Sequence, residues 1–358
     1  MQVRDFSEVF WYGGREPEPR SLQLTWLLEF ARKYLNVYQN VKPGCPTVEL
    51  DIVNNSKFEA AAASRDGRYF IGINKGVLEI ASNIFNRMLA SNKLFIDIGD
   101  PTLESETVKT VSTITDSKEL DKKEFVVPKD GLRKKFADEL CRQLFNFIVF
   151  HEYGHICHGH SDFINALNQG EGVIYDMFES GQIDYLDWQT TEMDADSFAT
   201  NAGVYFLRAV TKMPGLAAQE FNRFYGDLKS AIRIWIFAVY TFNRMFILRN
   251  NQKSLFQEHP PHSVRNMLIM NNVVVIAKLF YGEEFSKEIA KVCWDSAVEV
   301  EKAFGEISQD GINWWSIRFA LQPDPNDLNK LIRHNWNKVR PLLEPFAMVP
   351  LPALVNEQ

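Results

Sequence analysis

Four of the seven histidines in this 358-residue chain fall within ten residues, from His151 to His160. His151, Glu152 and His155 in this segment have the spacing H-E-x-x-H. In an α-helix, residues four apart project from one face, so the two imidazoles can reach a single metal ion. Glu152 is turned by about one residue, which puts its carboxylate beside the ion without making it a ligand. The pattern therefore requires a helix here and predicts a metal site on it.

The residues before the motif support this helix. Phe136, Leu140, Leu144, Phe147 and Ile148 recur at helical spacing and form an apolar face. The alternative is a surface helix that carries these polar residues by chance. Buried phenylalanines directly upstream favour the metal site over that alternative.

Catalytic zinc usually has three protein ligands and leaves a fourth position for water. One arrangement, H-E-x-x-H-x-x-G-x-x-H, needs a glycine at position 158 and a histidine at position 161. This chain has His158 and Ser161 there, so that arrangement is excluded. His158 and His160 lie three and five residues beyond His155 and cannot both share its face. Both are predicted to be bystanders rather than ligands, with His158 either beside the ligands or exposed.

A second arrangement takes the third ligand from a later helix, and the chain offers E-x-x-A-D at Glu192, Ala195 and Asp196. Glu192 and Asp196 are four apart on one helical face, and Ala195 leaves room for close helix packing. We expect Glu192 to bind the metal and Asp196 to accept the second N–H of a ligating histidine. The alternative is the acidic first turn of a solvated helix.

H-E-x-x-H followed by E-x-x-A-D resembles the gluzincin zinc metallopeptidases. A further segment, from His259 through two prolines to Arg265, is similar to one in the CAAX-prenyl-endopeptidase and HtpX-like family. The resemblance implies that His259 faces the substrate carbonyl and that Arg265 steadies the acidic groups around the metal. The alternative for this segment is a proline-capped helix start with incidental histidines.

Those membrane peptidases have spanning helices, which the sequence does not predict here. The best candidate, Ile234 to Asn243, is ten residues long, whereas a span needs about 20. A buried helix is expected instead, and membrane contact is not. Soluble relatives, namely ImmA/IrrE-like repressor-cleaving proteins and Lit-like phage-exclusion peptidases, fit the chain better.

Charge and cysteine content indicate the kind of partner and the cellular compartment to expect. A net charge of −7 argues against a nucleic-acid partner, which would need a basic face. The four scattered cysteines show no disulfide framework, and the N-terminus lacks the apolar core of a signal peptide. These features favour the cytoplasm.

The predicted fold is α+β, predominantly helical and zincin-like. Residues 1–131 form an N-terminal portion with a small sheet, and residues 132–358 form a helical metallopeptidase portion in one continuous catalytic unit. Strands are expected at 47–53, 68–73, 93–98 and 108–114, and the alanine run within 54–66 is expected to be a helical turn or a loop. Helices are expected at 21–38, 76–89, 132–160, 189–210, 216–250, 262–281, 284–306 and 325–345.

The sequence therefore predicts a zinc-dependent endopeptidase that cleaves an intracellular protein or peptide, with Glu152 as the general base on a zinc-bound water. His259 or a tyrosine, among Tyr153, Tyr175 and Tyr185, is expected to stabilise the oxyanion. An N-terminal edge strand is expected to pair with the extended substrate. The alternative is a non-catalytic, zinc-stabilised regulatory or binding protein.

Overall fold

The computed structural model describes residues 6–10, 12–17, 21–111, 116–120, 125–167, 184–212, 224–247, 261–309, 311–312 and 323–355. The chain is predominantly helical, with a small three-stranded sheet near the N-terminus followed by a helical body. The predicted α+β class is therefore confirmed.

The helices of the described residues are α1 (Phe6–Val9), α2 (Leu22–Val41), α3 (Lys75–Leu89), α4 (Gly131–Cys157), α5 (His160–Leu167), α6 (Tyr185–Val210), α7 (Leu228–Ile247), α8 (His262–Tyr281), α9 (Glu283–Ile307) and α10 (Pro323–Leu343). The strands are β1 (Val48–Val53), β2 (Ala60–Arg65) and β3 (Arg68–Asn74). Short 3-10 helices occupy Pro101–Leu103 and Ser117–Glu119. Every predicted helical segment overlaps one of these helices.

The sheet has β3 in its centre, parallel to β1 and antiparallel to β2. The two predicted strands that correspond to β1 and β3 are confirmed. The prediction for the alanine run was wrong, because it forms β2. Ala61 and Ala63 pack against the α1 segment while Ala62 faces the main core. Small side chains on both faces let β2 lie between these two layers.

Helix α4, which carries the H-E-x-x-H motif, is the central helix of the molecule. The Asp130 carboxylate begins it by accepting hydrogen bonds from the N–H groups of Leu132 and Arg133. It packs against β2, β3, α2, α3, α6 and α7. One hydrophobic core includes residues from the sheet and α3 as well as from α4 and the later helices. The N-terminal portion and the helical body therefore share a core.

The predicted strand at 93–98 was also wrong. This segment is a loop wound around the buried Arg133 guanidinium, which donates to the carbonyls of Leu89, Ser91, Leu94, Phe95 and Ile98. Carbonyls that converge on one cation cannot form a strand ladder. Of the predicted strand at 108–114, residues 112–115 lie outside the described residues, and Val111 makes only an isolated bridge to Ser308.

Within the described parts of the chain, α8 is the one helix long and apolar enough to cross a membrane, with a mean hydropathy of 1.2. Half of that stretch (50%) is buried against other parts of the molecule. Core helices reach the same values, so this feature does not assign the chain to a membrane. The stretch from Ile234 to Asn243 lies in α7 and is buried.

Candidate metal centre

The centre is built where α4 and α6 cross at close range. Gly154, inside the H-E-x-x-H motif, faces Ala195 and Phe198 of α6. A Cβ atom at position 154 would lie 3.2 Å from Ala195 Cα and 3.0 Å from Phe198 Cβ. Gly154 has no side chain and Ala195 has only a methyl group, so the backbones of α4 and α6 can approach each other closely. This approach brings the Glu192 carboxylate to the two motif histidines.

The structure brings His151, His155 and Glu192 together around one point. His151 Nε2 and His155 Nε2 are 3.2 Å apart. The Glu192 carboxylate oxygens lie 3.4 Å from His151 Nε2 and 3.3 Å from His155 Nε2. Tetrahedral ligand atoms at 2.0–2.1 Å from zinc are separated from one another by about 3.3 Å. The donor set and its spacing therefore fit a zinc-sized ion.

The outer nitrogen of His151 contacts Asp196, as the E-x-x-A-D spacing predicted. His151 Nδ1 lies 2.9 Å from Asp196 Oδ1, which leaves Nε2 directed at the candidate metal position. Arg265, at the start of α8, donates to both Asp196 oxygens at 2.6 and 2.8 Å. The same guanidinium lies 3.7 Å from Glu192. Arg265 thus lies against the acidic groups beside the candidate metal position.

The electrostatics of this group favour a cation at its centre. Burial lowers the pKa of His151, but the carboxylates of Glu192 and Asp196 outweigh it and raise that pKa to about 10. Burial opposes ionisation of Asp196, yet Arg265 and His151 hold its pKa below the ordinary value. The buried Asp196 carboxylate therefore stays ionised, and the negative charges of Glu192 and Asp196 attract positive charge to the His151 ring.

Glu152 is buried beside the candidate ligands, with 7% of its surface exposed. Burial raises the pKa of its carboxyl, the Glu192 charge raises it further, and His151, His155 and Arg265 oppose this. A carboxylate with a raised pKa is a better proton acceptor at neutral pH than an ordinary one. Glu152 is therefore a buried proton acceptor next to the candidate ligands and a candidate general base.

His158 and His160, which were predicted to be bystanders, are both buried and hydrogen-bonded next to the predicted ligands. His160 Nδ1 lies 2.9 Å from the Nδ1 of His155. His160 Nε2 lies 3.2 Å from Asp194 Oδ2, and His158 Nδ1 donates to the same oxygen. Burial lowers the pKa of His160 to about 4, so it is neutral. Burial opposes ionisation of Asp194, but His158 and His160 lower its pKa and keep it ionised.

The candidates for oxyanion stabilisation have different positions. His259 and Tyr175 lie outside the described residues. Tyr153 donates to the Pro46 carbonyl at 2.7 Å, and Tyr185 is 45% exposed. The sequence motifs gave no reason to single out Tyr12, but this residue also lies near the group. Burial raises the pKa of Tyr12, and the charges of Glu59 and Glu152 raise it further.

Comparison with protein families, with curated proteins and with solved structures gives no match. The gluzincin resemblance therefore depends on the motifs and on the site geometry.

Proposed function

We propose that this chain is a zinc-dependent endopeptidase that hydrolyses a peptide bond in an intracellular protein target. The observation that carries the proposal is the triangle of His151 Nε2, His155 Nε2 and the Glu192 carboxylate, with edges of 3.2 to 3.4 Å. Three protein ligands leave one tetrahedral position open, as in catalytic rather than structural zinc sites.

Each residue in the group has a role in this proposal. His151, His155 and Glu192 hold the ion. Zinc bound there would polarise the scissile carbonyl and make a neighbouring water more acidic. The Glu152 carboxylate accepts the proton of the attacking water and returns it to the leaving amine. Asp196 orients the His151 ring.

The substrate is proposed to be a protein or peptide in extended form. Strand β2 is an edge strand and contacts α4. Its central Ala62 is fully buried, and the Ser64 carbonyl accepts a hydrogen bond from Asn165 of α5. Ala60 is only partly buried. A substrate strand would therefore pair at the Ala60 end of β2.

A reducing compartment fits this proposal. The four cysteines are free thiols, and we propose that the protein acts in the cytoplasm. His259 stays a predicted catalytic residue, because it lies outside the described residues.

The second candidate function is a zinc-stabilised regulatory protein. Closed structural sites usually have four ligands and are rich in cysteine. In the part of the chain that the structure describes, the group around the proposed zinc position consists of His151, His155 and Glu192 and contains no cysteine. A structural role would also leave Glu152 buried beside the metal without a function.

A hydroxamate probe distinguishes the two candidates. Zinc content is measured on the purified full-length chain, and hydroxamate binding is then followed by calorimetry. The peptidase proposal predicts stoichiometric zinc and hydroxamate binding that disappears when zinc is removed. A zinc-loaded chain that binds no hydroxamate would favour the structural role.

A further inference from the structure

A second buried group of possible metal ligands adjoins the proposed zinc site. It consists of His158 at the end of α4, His160 at the start of α5 and Asp194 on α6, and no more than 5% of any of these residues is exposed. Their donor atoms all lie within 4.8 Å of one another. The group has the composition of a metal site, yet it is connected to the first site through His155.

The connection is a continuous set of polar contacts. His155 Nδ1 and His160 Nδ1 are 2.9 Å apart, a hydrogen-bond distance between two ring nitrogens. The other nitrogen of His160 lies 3.2 Å from Asp194 Oδ2, and His158 Nδ1 donates to that oxygen. A path therefore runs from His155 through His160 to the Asp194 carboxylate.

The proposed zinc site determines the proton positions along this path. A neutral imidazole that binds metal through Nε2 carries its proton on Nδ1. His155 Nδ1–H then donates to His160 Nδ1, which must be the unprotonated nitrogen of that ring. The proton of His160 is consequently on Nε2, on the side of Asp194. The negatively charged Asp194 oxygen 3.2 Å from His160 Nε2 favours a proton on that nitrogen.

We propose that His160 and Asp194 are positioning residues that fix the tautomer and orientation of His155, and that the chain binds one metal ion rather than two. This inference rests on the proposed function, since it requires His155 to be a metal ligand. His158 Nδ1 donates a hydrogen bond to the Asp194 carboxylate and holds it in place.

The same proton positions oppose simultaneous occupation of both groups. If His160 bound a second ion through Nε2, its proton would move to Nδ1. Two N–H groups, from His155 and His160, would then face each other across 2.9 Å. No hydrogen bond can form between two donors.

The test measures zinc affinity by competition with a chelator in the full-length chain. His160→Phe keeps a planar ring but removes the acceptor for His155, and should weaken zinc binding by about 10- to 100-fold. His160→Asn retains an acceptor oxygen near the Nδ1 position and should recover part of the loss. His334→Phe is the matched control, because His334 is exposed on α10 and bonds only locally, to the Lys330 carbonyl. Zinc affinity should not change in this control.

Two readouts keep the proposal testable if His160→Phe does not fold. Asp194→Asn should also weaken zinc binding and shift the visible spectrum of the cobalt-substituted chain. In zinc-loaded wild type labelled with nitrogen-15 histidine, NMR should find His155 protonated on Nδ1 and His160 on Nε2. Protonation of His160 on Nδ1 would overturn the proposal.

The metal count separates the possible failures. One zinc per chain, weakened in His160→Phe, supports the proposal whether or not peptidase activity is found. Two zinc ions per chain, one of which is lost in His160→Phe, would make the second group a metal site. Unchanged zinc affinity in His160→Phe would remove the positioning role while leaving the proposed function intact. A wild-type chain that binds neither zinc nor cobalt would overturn both.

Discussion

Asp194 and Asp196 lie two positions apart on α6, and each is linked to a different motif histidine of α4. Asp196 is 2.9 Å from Nδ1 of His151, whereas Asp194 reaches His155 through His160. Both outer ring nitrogens are thereby occupied. Both Nε2 atoms are left to face Glu192, two residues before Asp194 on the same helix.

Glu192→Ala tests the third ligand. Loss of this carboxylate removes one of three proposed ligands and the negative charge opposite His151, so zinc affinity should fall by at least about 100-fold. Chelator competition measures the change. Glu344→Ala, which removes an exposed carboxylate beyond α10, should leave the affinity unchanged. Full zinc occupancy in Glu192→Ala under competition would exclude Glu192 as a ligand.

Arg265→Met should destabilise the metal-free chain strongly. Asp196 would then remain buried without its bidentate cation, at a cost of about 3–5 kcal/mol in the free energy of unfolding. Arg233→Met is the matched control, because the Arg233 side chain is 36% exposed in its ion pairs with Asp97 and Glu299. The control should cost at most about 1 kcal/mol. Similar losses in the two variants, measured by urea unfolding, would contradict the account of Arg265.

Gly154→Val tests the close approach of α4 and α6. The added side chain would collide with Ala195 and Phe198, which should cost about 1–3 kcal/mol and weaken zinc binding by moving Glu192 away from the histidines. Gly131→Val is the control on the same helix, since nothing lies within 4 Å of a Cβ there. An unchanged zinc affinity in Gly154→Val would show that the helix spacing does not set the ligand positions.

Cys45 should be the most reactive thiol. Its hydrogen bond with Cys157 lowers the pKa of Cys45 to about 7, against the opposing effect of partial burial. Burial raises the pKa of Cys141 and of Cys293. The thiolate is the nucleophile, so iodoacetamide labelling of Cys45 should rise with pH up to about 7 and level off above roughly pH 8.

Peptide mapping of the labelled chain checks this order. Cys157→Ala removes the hydrogen bond and should slow the labelling of Cys45 at pH 7. Cys45→Ser should abolish the fast phase. A rate that still increases tenfold per pH unit between 7 and 8.5 would indicate an ordinary thiol.

The three proposed ligands could be selected from sequence because their spacing is a helical property. His151 and His155 are one turn apart, and the E-x-x-A-D pattern singles out Glu192. The site around them was harder to predict, because it depends on where α4 ends. Gly159, with φ of +79°, turns the chain after His158, and a new helix begins at His160. That turn brings His160 back into contact with His155. Residue spacing along one continuous helix does not predict this contact.

The sequence predicted the elements whose structure follows from hydrophobic periodicity. It did not predict the segments whose structure depends on tertiary contacts. The long helices follow their apolar faces. Alanine by itself favours helix, but Ala62 lies in a strand because parts of the chain distant in sequence pack on both faces of β2. The loop around Arg133 likewise depends on a guanidinium about 40 residues further along the chain.

The most direct test of the central claim compares protein termini in cells that express wild type or Glu152→Gln. Glutamine occupies the same volume but cannot accept the proton of the attacking water. We predict one zinc per chain in both purified proteins and a new protein terminus only in cells that express wild type. The same new terminus with Glu152→Gln would contradict the account.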